Sequence, residues 1–120
     1  MKVLIVDDSK SMRMIVKRTL KQAGYDQMEF SEAEDGAEAL DKIEESPPHL
    51  ILCDWNMPVL NGIEFLREIR AAGNSVKFGF VTTESTSEMR AEAKEAGAQF
   101  LIAKPFTPET VGKALRPIIG

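Results

Sequence analysis

Four short stretches hold the residues able to do chemistry. VLIVDDS ends an apolar run in two adjacent carboxylates, Asp7 and Asp8. ILCDWNMP breaks a second run with Asp54, FVTT closes a third with Thr82 and Thr83, and IAKP closes a fourth with Lys104 before Pro105. If these ends meet, three unpaired carboxylates repel one another and their pKa values rise. A divalent cation relieves that repulsion. An all-oxygen site with few protein ligands suits Mg²⁺, which keeps several of its waters. His49 and Cys53 alone offer no zinc site. Near such an ion Lys104 could supply point charge to a phosphoryl group and Thr82 a donor. A carboxylate beside that electrophile can act as nucleophile and form an aspartyl phosphate. Asp54, standing alone at its strand end, is the candidate nucleophile, and Asp7 and Asp8 are the candidate metal holders.

Convergence requires particular elements. Val3–Val6 is a continuous aliphatic run of the kind covered on both faces of a parallel sheet. A helix follows over about residues 11–23, with Met12, Ile15, Val16 and Leu20 at helical spacing and Gly24 as its stop. Met28 and Phe30 alternate with polar residues, as on an edge strand. Asp35-Gly36-Ala37-Glu38 has the pattern of a capping box before a helix carrying Ala39, Leu40 and Ile43, which Pro47-Pro48 ends. Leu50–Cys53 is the third strand. Asn61 to Glu64 caps a helix presenting Ile63, Phe65, Leu66 and Ile69 up to Gly73. Val76–Val81 is the fourth strand. The segment 85–88 caps a helix poor in large apolar residues, which ends at Gly97. Phe100–Ala103 is the fifth strand, and Thr107-Pro108 supplies cap and first-turn proline for a last helix with Val111, Leu115 and Ile118 inward. Five strands alternating with five helices predict an α/β parallel sheet with right-handed crossovers, and its ligand site lies beyond the carboxyl ends of the strands.

The bulk properties agree and exclude several classes. The chain's 120 residues, 43% hydrophobic and 28% charged, suit one domain with a real core. A net charge of −4 and a pI near 5.1 argue against a general nucleic-acid or anionic-membrane binder. One cysteine permits no internal disulfide, no stretch reads as a signal peptide, and no run approaches the roughly 18 apolar residues of a membrane span. The expectation is a cytoplasmic domain.

Together VLIVDDS, ILCDWNMPVLNG, FVTTE and AKPFTPE resemble the receiver domain of two-component response regulators, and DWNMP and KPFT resemble the chemotaxis type within that family. The similarity spans essentially the whole chain, and four motifs in order are far more specific than any one. The resemblance implies a flavodoxin-like (βα)5 fold, order 2-1-3-4-5, forming a single receiver domain over 1–120 without an output domain. It implies that Asp54 accepts a phosphoryl group from a histidine kinase. Mg²⁺ would be held by Asp8, Asp54 and the Asn56 backbone carbonyl, with Asp7 reached through water. Lys104, in a cis peptide with Pro105, would contact the phosphoryl oxygens. Thr82 would move toward them and signal to the face of the fourth and fifth helices and fifth strand. The protein would be a monomer that catalyses only its own phosphorylation and dephosphorylation. Its expected partners are a chemotaxis-type kinase, a protein target such as the flagellar motor switch, and a phosphatase. A phosphorelay intermediate, a phosphate sink, or a receiver from a larger regulator are the alternatives. The family's switch also uses an aromatic residue three positions before the lysine; here that position is Leu101, with Phe100 one place earlier.

Two other functions fit the topology less well. A flavodoxin-type cofactor binder cradles phosphate in a Ser/Thr/Gly-rich loop after strand one, where this chain has DDSKS. An aspartyl-phosphate phosphohydrolase needs a second acid two residues after the nucleophile, where this chain has Asn56. Among the remaining residues, Cys53 reads as a small buried hydrophobe, His49 as a surface residue, and Met12, Met14 and Met57 as packing. The acids between Glu29 and Glu45 read as a solvated face. Trp55 is divided evenly between a loop anchor and a partner contact.

Overall fold

The computed structural model describes residues 1–120. Its elements are β1 (Lys2–Val6), α1 (Lys10–Gln22), β2 (Glu29–Ala33), α2 (Gly36–Glu45), β3 (Leu50–Cys53), α3 (Gly62–Ala71), β4 (Lys77–Thr82), α4 (Ser87–Ala96), β5 (Phe100–Ala103) and α5 (Pro108–Ile119). The five strands form one parallel sheet in the order β2-β1-β3-β4-β5. The alternation implied a parallel α/β sheet, and the strand order is the flavodoxin-like one that the family resemblance implied.

Strand alternation divides the core in two. Leu4, Val6, Ile51, Cys53, Phe78 and Phe80 face one side, where α2, α3 and α4 cover them with Ala39, Phe65, Leu66, Ile69 and Ala93. Val3, Ile5, Leu50, Leu52, Val81 and Ile102 face the other, under Val16 and Leu20 of α1 and Val111 and Leu115 of α5. β1 and β3 are buried along nearly their whole length, so their apolar runs are continuous. β2, at the edge, alternates as expected.

The helix starts follow their capping residues. Ser9, Asp35, Asn61, Thr86 and Thr107 each accept a hydrogen bond from the backbone N–H three residues on. At α2 this is half of the expected box: Asp35 accepts from Glu38 N at 2.8 Å, and Glu38 returns no bond. The reciprocal pair forms at α5, where Thr107 and Thr110 cap each other.

Three expectations from periodicity change. Ile15 and Met14 are exposed, while Arg13 and Thr19 are buried, so the inward stripe of α1 is rotated from the apolar one. Glu32 does not belong to a solvated face, because it pairs with Arg13 and Lys17 across to α1. β4 runs one residue later than expected and takes Thr82 into the sheet.

Gly79 shows how tightly the two outer strands pack. It pairs with Phe100 of β5, and a Cβ there would overlap the edge of the Phe100 ring. Gly79→Ala is expected to destabilise the domain by about 1–3 kcal/mol, the usual scale of overpacking, read by urea unfolding. Phe100→Leu in the same chain should recover part of that loss. An unchanged midpoint in Gly79→Ala would contradict the ring's position.

Candidate functional site

β1, β3, β4 and β5 end at the same edge of the sheet, and each delivers a polar side chain there. Asp54 N–H donates to Val6 O at 2.9 Å, and Asp7 N–H donates to Ala33 O at 3.1 Å, which extends the ladder one step past the strands. Lys104 N–H donates to Thr82 O at 2.7 Å and does the same between β4 and β5. Carboxylate oxygens of Asp7, Asp8 and Asp54 consequently lie within 4.8 Å of one another. The side chains of Asp7, Asp8, Asp54 and Lys104 therefore come together from three separate segments, and Thr82 is tied to them through the Lys104 backbone.

Lys104 is the cation among them. Its Nζ donates to Asp7 Oδ2 at 3.3 Å and lies 3.8 Å from Asp54 Oδ1. The side chains of Asp7, Lys104 and Asp54 are only 6%, 10% and 13% exposed, so water screens these charges weakly. Both Asp7 oxygens are occupied, one by Lys104 and the other by the Ser9 N–H at 2.9 Å. Asp8 is exposed and takes no hydrogen bond from within the chain, and neither does the Asn56 carbonyl. The peptide before Pro105 is cis, as expected.

Burial first, then repulsion from Asp7 and Asp8, pushes the Asp54 carboxyl above its ordinary pKa. Lys104 and the Trp55 N–H oppose this without cancelling it. The donor set fits a hard divalent cation: three carboxylates, with no soft ligand among them and with net negative charge. Cys53 is no competitor. Its thiol is wholly buried, donates to the Asp54 carbonyl at 3.1 Å, and is held well above its ordinary pKa by burial and by Asp54 and Asp7.

The loop after β3 is fixed from behind. Trp55 is buried with its ring 4.7 Å from that of Phe80, so it is the loop's anchor. Gly62 N–H donates to Trp55 O at 2.8 Å. A Cβ on Gly62 would strike the Asp54 carbonyl and the Trp55 backbone, so only glycine lets α3 begin there. The Leu60 N–H donates to Pro58 O at 2.8 Å around Val59, whose φ is 70°. That is the strained form of a γ-turn, and it leaves a β-branched residue 82% exposed on the loop after β3.

Thr82 is completely buried, with its Oγ1 accepting from Glu84 N–H at 3.3 Å. Leu101 is half-buried on the same face of the sheet, beside Phe80 in register. His49 is exposed, and its Nδ1 accepts from Lys2 N–H. One contributor was not anticipated. Arg13 donates to the Asp7 carbonyl at 2.6 Å, and its only signal in the sequence was a cation interrupting the apolar stripe of α1.

A family model, the response regulator receiver domain, matches residues 3–116. The chain belongs to that family. This receiver domain is 37% identical to chemotaxis protein CheY1 of Helicobacter pylori, over all of this chain and 98% of that protein. It is 38% identical to a chemotaxis protein CheY homolog of Campylobacter jejuni, over all of this chain and 93% of that one. The structure of Vibrio cholerae chemotaxis protein CheY4 superposes with a TM-score of 0.86 at 41% identity, covering 98% of each chain. The receiver domain is thus of the CheY type, a class phosphorylated by histidine kinases.

Because the Asp54 pKa is raised on folding, its ionisation destabilises the metal-free protein above that pKa, and the penalty fades as pH falls through it. Asp54→Asn should therefore raise the Tm of the metal-free protein by a few degrees at pH 7. The gain should shrink as the pH is lowered and the wild-type carboxyl protonates. A lower Tm for the variant at pH 7 would overturn this sign.

Proposed function

We propose that this receiver domain is a phosphorylation-controlled switch in chemotaxis. Asp54 takes a phosphoryl group from a histidine kinase, and the phosphorylated form binds a protein target, with the flagellar motor switch as the favoured one. The observation that carries the reading is the cluster of three carboxylates within 4.8 Å, bridged by a nearly buried Lys104. The CheY names of the relatives carry its chemotactic side.

In the transfer, an Asp54 oxygen attacks the phosphorus of the kinase's phosphohistidine. A P–O bond forms and the P–N bond breaks, its electron pair leaving with the imidazole nitrogen, which then takes a proton. Mg²⁺ would be held by Asp8, Asp54 and the Asn56 carbonyl, with Asp7 behind them, and when bound it neutralises phosphoryl oxygens. Two observations support that division: the oxygens of Asp7 are already taken, whereas Asp8 and the Asn56 carbonyl are free. Lys104 holds a phosphoryl oxygen by turning from Asp7, and Thr82 donates its hydroxyl to another. With Asn56 in place of an acid, no side chain stands ready as general base for a water. The domain is accordingly no enzyme toward other substrates, and its phosphoryl group is lost slowly or with the help of a separate phosphatase. It acts as a cytoplasmic monomer.

Output is the point at which a second reading has support. Leu101 shares the face of Thr82, but has neither the ring nor the hydroxyl of the family's usual residue. A phosphorelay intermediate or phosphate sink, which needs no motor contact, would tolerate that exchange.

Acetyl phosphate with Mg²⁺ should add one base-labile phosphoryl group, seen by intact mass, and Asp54→Asn should add none. Full labelling of that variant would sink the assignment. Burial of a leucine side chain stabilises by roughly 1.5–3 kcal/mol. If Leu101 fills the gap left by Thr82, Leu101→Ala should weaken phosphorylation-dependent target binding by roughly tenfold or more, with the Asp54 labelling rate nearly unchanged. Equal affinity differences in variant and wild type would make Leu101 a packing residue and favour the second reading.

A further inference from the structure

Arg13 is buried, yet it touches none of the carboxylates of the site. It projects from α1, and its Nη1 donates to the backbone carbonyl of Asp7 at 2.6 Å, while its Nε donates to Glu32 Oε1 of β2 at 2.8 Å. The other Glu32 oxygen accepts from Lys17 at 3.1 Å. The Arg13 hydrogen bond and the Lys17 charge hold the Glu32 carboxyl below its ordinary pKa, so the pair stays ionised.

The carbonyl that Arg13 holds belongs to the peptide linking Asp7 to Asp8. On the Asp7 side the same backbone is already fixed, because Asp7 N–H donates to Ala33 O. Beyond it Asp8 is exposed and unpaired. Turning that peptide plane would re-aim Asp8 while leaving Asp7 in place. Arg13 is the one side chain that bonds the Asp7 carbonyl.

We propose that Arg13, oriented by Glu32, is a positioning residue for the divalent-cation site: it fixes the Asp7–Asp8 peptide so that Asp8 points at the ion. This rests on the reading of the cluster as a Mg²⁺ site. Electrostatics makes the opposite prediction, which gives the test its sign. A cation placed beside a cation site weakens metal binding, so removing Arg13 would strengthen it if charge were its only influence.

The measurement is calorimetric titration of the unphosphorylated protein with MgCl₂, well below each variant's Tm. Arg13→Gln is the informative change. Its amide nitrogen stands at the same point along the side chain as Nε, so Glu32 keeps a partner, but nothing reaches the Asp7 carbonyl. Mg²⁺ affinity should fall about tenfold, the usual scale for a group that orients a ligand from behind. Glu32→Gln, which leaves the Arg13–Asp7 contact possible, should fall less. Arg13→Lys, which keeps both the charge and a donor, should recover most of the affinity. If Arg13→Gln does not fold, Arg13→Met is titrated in its place with the same expectation. Unchanged or tighter binding in the folded variant, beside a wild type that binds, overturns the positioning role. A wild type that takes up no Mg²⁺ instead overturns the reading of the cluster on which the proposal rests.

Discussion

Three carboxylates brought within 4.8 Å of one another at the strand ends, one buried, one half-buried and one exposed, are the constraint from which the rest of this molecule follows. Their repulsion is tolerated because the strands that carry them are fixed by buried aliphatic runs on both faces of the sheet. Lys104 offsets part of it, and burial leaves Asp54 still reluctant to ionise. A site in that state gains from any added positive charge. A cation seated there would relieve the repulsion that raises the Asp54 pKa. Neutral residues at the same places would remove the repulsion and with it the reason for the site to respond.

The supporting shell is built to keep that imbalance from relaxing. Trp55 locks the loop behind Asp54 onto Phe80, and Gly62 lets α3 press against the same backbone. Arg13 and Glu32 hold the peptide before Asp8 from the other side of the sheet's edge. By contrast α4, next to the buried Thr82, is held lightly: Ala93 is its one fully buried residue. Its C-terminal end is tied to α3, where Arg70 donates to the Gly97 carbonyl through both Nε and Nη2. Elsewhere α4 is joined to α3 by the exposed Arg67–Glu92 pair and rests on the core through the half-buried Met89 and Ala96.

Much of this was legible in the sequence because strands buried on both faces leave an unmistakable mark. VLIV and LILC could be little else, and an acid directly after such a run must lie at the sheet's carboxyl edge. What escaped reading were interactions that periodicity does not count. Apolar spacing in α1 favoured Ile15, whereas the folded helix turns Arg13 inward, because Glu32 and the Asp7 carbonyl compensate its buried guanidinium. Glu32 looked like part of an acidic surface for the same reason, since its partners lie on another element. The positive φ at Val59 was hidden as well, for nothing in a valine announces a conformation that its own side chain disfavours. Arg13 and Glu32 lie behind the carboxylates, where tertiary bonds override local preference, whereas the Val59 turn is closed by a local bond alone.

The carboxylate cluster is an electrostatic imbalance that a bound divalent cation would relieve. Thermal unfolding of the wild-type protein and of Asp8→Ala, each with and without millimolar MgCl₂ at constant ionic strength, tests it most directly. A Mg²⁺-dependent rise in Tm is expected for the wild type, by the linkage of binding to folding, and that rise should be largely lost in Asp8→Ala. A wild-type Tm that ignores Mg²⁺, or an Asp8→Ala variant that responds as fully as the wild type, would contradict it.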